Sequence, residues 1–204
     1  MSAIFLHLIT CLKIYKQYSF YYNMRCFIAV EIPEHIRVEI FHVFEKIKQS
    51  GLVAGNFVEK ENLHLTLKFF GELNKDEIVK IKKELSEIEF KKFNAETGSI
   101  GFFPNEDYIR ILWVELAGAE ISKLHKKIDD KLFESGIKKD DKNFSSHITV
   151  ARINSVKDRK MFMQKIKEMK LKKEKFSVDN FSLIKSELTP EGPIYKILEK
   201  FELK

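Results

Sequence analysis

The sequence predicts an α+β fold: a bilobal, duplicated arrangement of two antiparallel-type sheets with helices outside and a central cleft between them. Three observations predict it. A strand, helix, strand, helix, strand order runs through the first half of the chain and then repeats. The frame His-x-Thr-x occurs once in each repeat, as His64-Leu65-Thr66-Leu67 and His147-Ile148-Thr149-Val150. No long linker or low-complexity stretch divides the halves, so the lobes are expected to form one cooperative unit.

The first lobe opens on the apolar strand Cys26-Phe27-Ile28-Ala29-Val30-Glu31-Ile32, and a helical pattern follows from Glu34 to Lys48. The strand holding His64 comes next, and Lys75-Asp76-Glu77-Ile78 opens a helix to about Ile88. The fifth element is Phe93-Asn94-Ala95-Glu96-Thr97, running toward Gly101-Phe102-Phe103-Pro104. In the second lobe, Ile111-Leu112-Trp113-Val114-Glu115-Leu116 is the strand and Glu120 to Phe133 the helix. The strand holding His147 follows, and Lys157-Asp158-Arg159-Lys160 opens a helix to about Met169. Phe176 to Ile184 is the fifth element of this lobe. A hairpin closes the sequence: Ser186 to Pro193 has turn chemistry, and Ile194 to Phe201 returns as a strand. Ile28 precedes His64 by 36 positions and Trp113 precedes His147 by 34, so each histidine holds the equivalent place in its repeat.

The chain has 204 residues, enough for one generous domain or two small lobes sharing a core. Its 44% hydrophobic content, with 18 phenylalanines, argues for a packed globular protein and against disorder. A net charge of +6 suits an anionic partner such as RNA, although lysines scattered along helix faces also arise for solubility. Two cysteines, Cys11 and Cys26, have no zinc-like spacing, which points to a reduced cytoplasmic setting. Residues 1–23 fit neither repeat. Ala3 to Leu12 is apolar but too short to span a bilayer, and lacks the basic flank and cleavage site of a signal peptide. The expected organisation is an extension at 1–23, with Met24 as the natural start of a single bilobal domain over 24–204; an extra helix packed on one lobe is the alternative.

Side chains alternate across a strand, so His64 and Thr66 share one face, as do His147 and Thr149. One histidine in a strand is ordinarily structural. Two, at matching positions of a duplication and each beside a hydroxyl, are what a metal-free acid–base reaction on a phosphate needs: one imidazole takes a proton while the other gives one. Thr66 and Thr149 can donate to phosphate oxygens without adding charge. Arg152 lies five residues after His147, an offset that puts it on the opposite face unless the strand bends. Arg110 is a further candidate for anion contact or a surface ion pair. Phe57, Phe69, Phe70 and Phe103 are candidates to stack on a base, with core packing their ordinary role. No metal site is expected: two histidines without Asp, Glu or Cys at ligand spacing fall short of the three protein ligands of a catalytic zinc. His7, His35, His42 and His125 share no pattern, and there is no phosphate-binding Gly-rich loop.

The chain resembles the two-histidine (2H) phosphoesterase superfamily and, within it, the bacterial and archaeal RNA 2′,3′-cyclic phosphodiesterases, also called 2′-5′ RNA ligases. The resemblance runs from Met24 to Lys204. It is carried by Met24-Arg25-Cys26-Phe27-Ile28-Ala29-Val30-Glu31-Ile32-Pro33, by Glu61-Asn62-Leu63-His64-Leu65-Thr66-Leu67-Lys68-Phe69-Phe70-Gly71-Glu72 and by Gly101-Phe102-Phe103-Pro104. Ser146-His147-Ile148-Thr149-Val150-Ala151-Arg152 and Leu188-Thr189-Pro190-Glu191-Gly192-Pro193-Ile194-Tyr195 complete it. Ser146 stands where the family often has proline. The resemblance implies catalytic His64 and His147 in a central cleft, with no metal or nucleotide cofactor; Thr66, Thr149 and Arg152 are, on their own chemistry, the candidates for holding the substrate. It implies hydrolysis of RNA 2′,3′-cyclic phosphate ends to 2′-phosphates, with His64 the proton donor to O3′ and His147 the acceptor that activates water. Reversible ATP-independent 2′-5′ ligation is implied as well. The expected protein is a cytoplasmic monomer acting on RNA ends, tRNA fragments among the candidates, with no membrane partner. The competing readings are a cyclic phosphodiesterase of small nucleotides and a non-catalytic RNA-binding module; a clamp would need no second histidine.

Overall fold

Strand β1 (Met24–Glu31) buries every residue from Cys26 to Val30, because both faces of the sheet are covered where it lies. The structure, a computed structural model, describes residues 23–140, 143–190 and 192–204. The expectations for the leader, with His7 and Cys11, lie outside these residues, as does Glu191 of the closing turn. After β1 come α1 (Glu34–Gln49), β2 (Val53–Phe57), β3 (His64–Leu73), α2 (Lys75–Ser86), β4 (Phe93–Pro104) and β5 (Ile109–Ala117). Then follow α3 (Ala119–Glu134), β6 (His147–Val156), α4 (Arg159–Glu168), β7 (Lys175–Val178), β8 (Asn180–Thr189) and β9 (Gly192–Glu202).

Each helix is made by an apolar stripe at helical spacing. In α1 the stripe is Ile36, Ile40, Val43, Phe44 and Ile47. In α3 it is Ile121, Leu124, Ile128 and Leu132. Asn74 caps α2 in a reciprocal capping box with Glu77, and the Asp158 side chain accepts from the Met161 amide at the start of α4. These stripes meet Ile28, Val30, Leu65, Leu112, Val114, Ile148 and Leu183 in one core, so the described helices cover the same face of the sheet. Each fully buried Leu or Ile there stabilises by about 1.5–3 kcal/mol relative to exposure. Phe27, Ala29 and Ile184 form a second, smaller cluster with Tyr195 on the other face. Among the described residues, no helix is long and apolar enough to cross a membrane.

All described strands pair antiparallel, in the order β7-β4-β5-β6-β3-β1-β8-β9, with β2 beside β6. The α+β class and outer helices stand as expected, and the two expected sheets are joined into one. A single pairing, Leu65 with Ile148, joins β3 to β6. The strand assignment to lobes needs correction. Phe93–Pro104, the fifth element of the first repeat, pairs with β5 in the second lobe; β8, from the second repeat, pairs with β1 in the first. The cause of the first exchange is the tight connection 105–108, where the Asn105 side chain accepts from the Asp107 and Tyr108 amides. Strands so joined must be antiparallel neighbours. The expected element Phe176–Ile184 is two strands, split at Asp179, which lie toward opposite ends of the sheet order. One residue can link them only if the sheet curls. β2 was not foreseen, and the closing turn is shorter than expected, with β8 running to Thr189.

Candidate active site

The Leu65–Ile148 pairing places both motifs in register, with His64 opposite Thr149 and Thr66 opposite His147. Leu65 and Ile148 are fully buried on the helical face, so the two histidines and two threonines all project from the other face. Diagonal neighbours of this kind have Cβ atoms about 7–8 Å apart, which leaves room for a phosphate between the imidazole tips.

Backbone carbonyls fix the tautomers. His64 Nδ1 lies 2.6 Å from the Asn62 carbonyl oxygen, and His147 Nδ1 lies 2.7 Å from that of Ser145. A carbonyl only accepts, so Nδ1 carries the hydrogen in both rings and Nε2 is the atom that exchanges a proton. The Thr66 hydroxyl stands 3.0 Å from His64 Nε2 and donates to it when the ring is neutral. Burial pushes the His64 pKa down, the Asn62 carbonyl opposes this, and His147 pushes it down further. Burial also lowers that of His147, against the Ser145 carbonyl, and the Arg152 charge adds to the depression.

A β-bulge brings Arg152 to this face. Leu112 pairs with Ala151 and Trp113 with Thr149, so Val150 is an extra residue in β6. Val150 and Ala151 both turn into the core, and Arg152 emerges on the side of Thr149, exposed. The first half repeats the device: Ile28 pairs with Lys68 and Ala29 with Thr66, leaving Leu67 extra. There the residue that emerges is Phe69, 62% exposed. At this equivalent position the duplicated modules thus carry different groups, a guanidinium beside His147 and a phenyl ring near His64.

Aromatic rings wall both imidazoles. Phe27 and Tyr195 lie 4.9 and 5.3 Å from His64, centroid to centroid, and Phe69 lies 5.7 Å from Phe27. Phe103 and Trp113 lie 4.9 and 6.1 Å from His147. Gly101 makes room for the indole, because a Cβ there would stand 2.2 Å from two Trp113 ring atoms. Of the phenylalanines singled out in the sequence, Phe69 and Phe103 reach this face, whereas Phe57 and Phe70 pack against the core. Arg110 does not join the site: it donates to the Asn154 carbonyl and sits over the Tyr108 ring. The sequence reading missed Phe27, Trp113 and Tyr195. It also missed Glu31 and Glu115, which pair across the ladder with His64 and His147. Both carboxylates face other partners: Glu31 meets Ser182 and Lys200, and Glu115 accepts from the Ser99 hydroxyl and amide, which lower its pKa. Among the described residues, no group of three His, Cys, Asp or Glu is placed to hold a metal ion. A cavity of about 500 Å³ lies elsewhere, between β3, α2 and residues 135–140, and neither histidine lines it.

A family model described as LigT-like phosphoesterase matches residues 30–113 and again residues 114–195. The chain belongs to the LigT-like phosphoesterase family. Each match holds one His-x-Thr-x frame, in keeping with the duplication. The chain is 34% identical over 180 residues to the RNA 2′,3′-cyclic phosphodiesterase of Methanocaldococcus jannaschii, covering 87% of this chain and 100% of that one. It is 34% identical over 186 residues to the RNA 2′,3′-cyclic phosphodiesterase of Archaeoglobus fulgidus, covering 88% and 100%. Among solved structures, a Thermus thermophilus protein superposes with a TM-score of 0.70 at 28% identity, covering 88% of this chain and 98% of that one. E. coli LigT complexed with 3′-AMP superposes at 0.71 with 22% identity, covering 90% and 99%, and shares the fold.

Proposed function

We propose that this LigT-like phosphoesterase hydrolyses 2′,3′-cyclic phosphate ends of RNA to 2′-phosphate ends, with His64 and His147 as its acid–base pair. The observation that carries the reading is the facing pair of His-x-Thr frames on one sheet face, each Nδ1 held by a carbonyl, which leaves Nε2 as the nitrogen that exchanges a proton. The activity named for its archaeal relatives supports the same substrate. His147 Nε2 takes a proton from water as the water oxygen bonds to phosphorus. The P–O3′ bond breaks, and His64 Nε2–H gives its proton to O3′. Burial, and after it the Arg152 charge, disfavours an imidazolium at His147, as a base requires. Thr66, Thr149 and Arg152 hold the non-bridging oxygens, and the open face of Phe69 with the Tyr195 edge offers a surface on which a base stacks.

Replacing water by the 5′-hydroxyl of a second RNA gives a 2′-5′ bond by the same proton transfers, and the reverse reaction follows by microscopic reversibility. No nucleotide is consumed, because the cyclic ester is itself the activated end. The test is incubation of the wild-type protein with a short RNA ending in a 2′,3′-cyclic phosphate, with and without EDTA. The expected product has gained one water and ends in a 2′-phosphate at equal rates in both. Binding without turnover would mean an RNA clamp, and faster turnover of a cyclic mononucleotide would mean a small-nucleotide enzyme.

A further inference from the structure

Along β6, the edge beyond the Leu65–Ile148 pairing is covered by β2, whose Val53–Phe57 pairs with residues 151–156. The equivalent edge of β3 has no such strand among the described residues. A charge cluster built on the buried pair Lys68–Asp129 stands there instead. Lys68, turned into the core by the Leu67 bulge, donates from Nζ to Asp129 Oδ1 of α3 at 2.5 Å and to Asp140 Oδ1 at 3.0 Å. Asp140 Oδ2 lies 3.6 Å from His125 Nε2, and the His125 ring stacks on Phe144 at 4.1 Å. Phe144 adjoins Ser145, the residue whose carbonyl receives the His147 Nδ1 hydrogen. On its other side, Ser146 exchanges hydrogen bonds with Leu116 of β5.

We propose that Lys68 is a positioning residue for the reaction: through Asp140, His125 and Phe144 it steadies Ser145, whose carbonyl sets the tautomer and orientation of His147. The proposal rests on the acid–base reading of His147. Two comparisons support it. The equivalent bulge position in the second half is Ala151, so the bulge itself needs no charge. Asn62, the carbonyl partner of His64, has its own tether, since its side-chain amide donates to the Pro193 carbonyl at 2.9 Å. Each catalytic ring thus has an orienting carbonyl with a separate anchor, one made of a hydrogen bond and the other of ions. The buried pair is Lys68–Asp129; such a pair is seldom better for stability than apolar packing, and its best-attested use is to fix one geometry, here that of the ammonium which also holds the exposed Asp140.

The test is Asp140→Asn in the full chain, read at pH 8, where the depressed pKa values keep both rings neutral. Two measurements are made: ¹⁵N shifts of both imidazoles, which report the tautomer without any need for activity, and the steady-state constants on a cyclic-phosphate dinucleotide. The expected result is a loss of the Nδ1–H tautomer at His147 with His64 unchanged, and a fall in kcat of about ten- to a hundredfold with little change in KM. Asp140→Glu, which keeps the charge, should recover most of it. The charge-balanced pair Lys68→Met/Asp129→Asn, which cuts the anchor from the other side, should shift the same ring. Wild-type tautomers and kcat in Asp140→Asn would overturn the proposal, and so would equal shifts at both histidines, which signal general loosening. Should the wild-type protein turn over no cyclic phosphate, the imidazole shifts still decide the anchor.

Discussion

Lys68→Met should destabilise the fold by about 3–5 kcal/mol at pH 7, because it strands a carboxylate in the core. The Lys68 side chain is 2% exposed and that of Asp129 12%, so water cannot replace the lost ammonium. Asp140, 35% exposed, stays solvated and adds little. The stranded aspartate can escape by taking up a proton. From an ordinary carboxyl value of about 3.9, and at 1.36 kcal/mol per pH unit, that costs about 4 kcal/mol at pH 7 but only about 1.5 at pH 5. The folded variant then binds more protons than the unfolded chain, so its stability falls as pH rises, and its deficit should shrink by roughly 2.5 kcal/mol between pH 7 and pH 5. Urea unfolding of wild type and variant at both pH values measures this directly. A deficit equal at the two pH values would refute the reasoning, because lost packing does not titrate. Adding Asp129→Asn should remove most of the deficit at pH 7.

Arg152→Met should lower kcat/KM by about 10- to 150-fold, the worth of a charge-assisted hydrogen bond. It should also raise the His147 pKa; an unchanged His147 titration would place the guanidinium outside the site. Gly101→Ala should push Trp113, the chain's one tryptophan, off β4, costing about 1–3 kcal/mol of stability and shifting its fluorescence. Unaltered emission and melting would mean that the ring has room. Burial lowers the pKa of both His64 and His147, so, if they are the acid–base pair proposed, the bell of kcat/KM should lie on the acid side of 6.5, and that of kcat should move upward as the bound phosphodiester favours the imidazolium. The same shifts make the unfolded chain bind more protons, so these rings contribute stability that is present above pH 6.5 and lost as pH falls below it. A kcat/KM maximum above pH 8 would contradict the assignment.

Most of this architecture is legible in the chain. The α1 stripe gives the helix to within a residue of its end, and the two His-x-Thr frames give the four groups that the sheet brings to one face. What alternation cannot reveal is the bulges. A regular strand would set Lys68 beside His64 and Thr66 and hide Arg152; the extra residues Leu67 and Val150 reverse both, and nothing in their side chains announces it. The partners Phe27 and Trp113 escape notice because their strands are apolar on both faces, so period two assigns neither to the groove. Tyr195 escapes because it comes from the exchanged hairpin, whose lobe depends on long-range pairing. The exchange of fifth strands leaves the order of elements unchanged, although the short connection at Asn105 already implies the β4–β5 pairing.

In the proposed reaction two imidazoles share one displacement at phosphorus, His147 activating water and His64 protonating O3′. A substrate whose 3′ leaving atom is sulfur needs little protonation, so its cleavage by the two single variants separates the two roles. The sulfur substrate should restore turnover in His64→Ala, which on the oxygen substrate loses about 10²–10⁴ in rate, and leave His147→Ala inactive. Rescue of His147→Ala instead would reverse the roles, and equal activity of both variants on the oxygen substrate would remove the imidazoles from the mechanism.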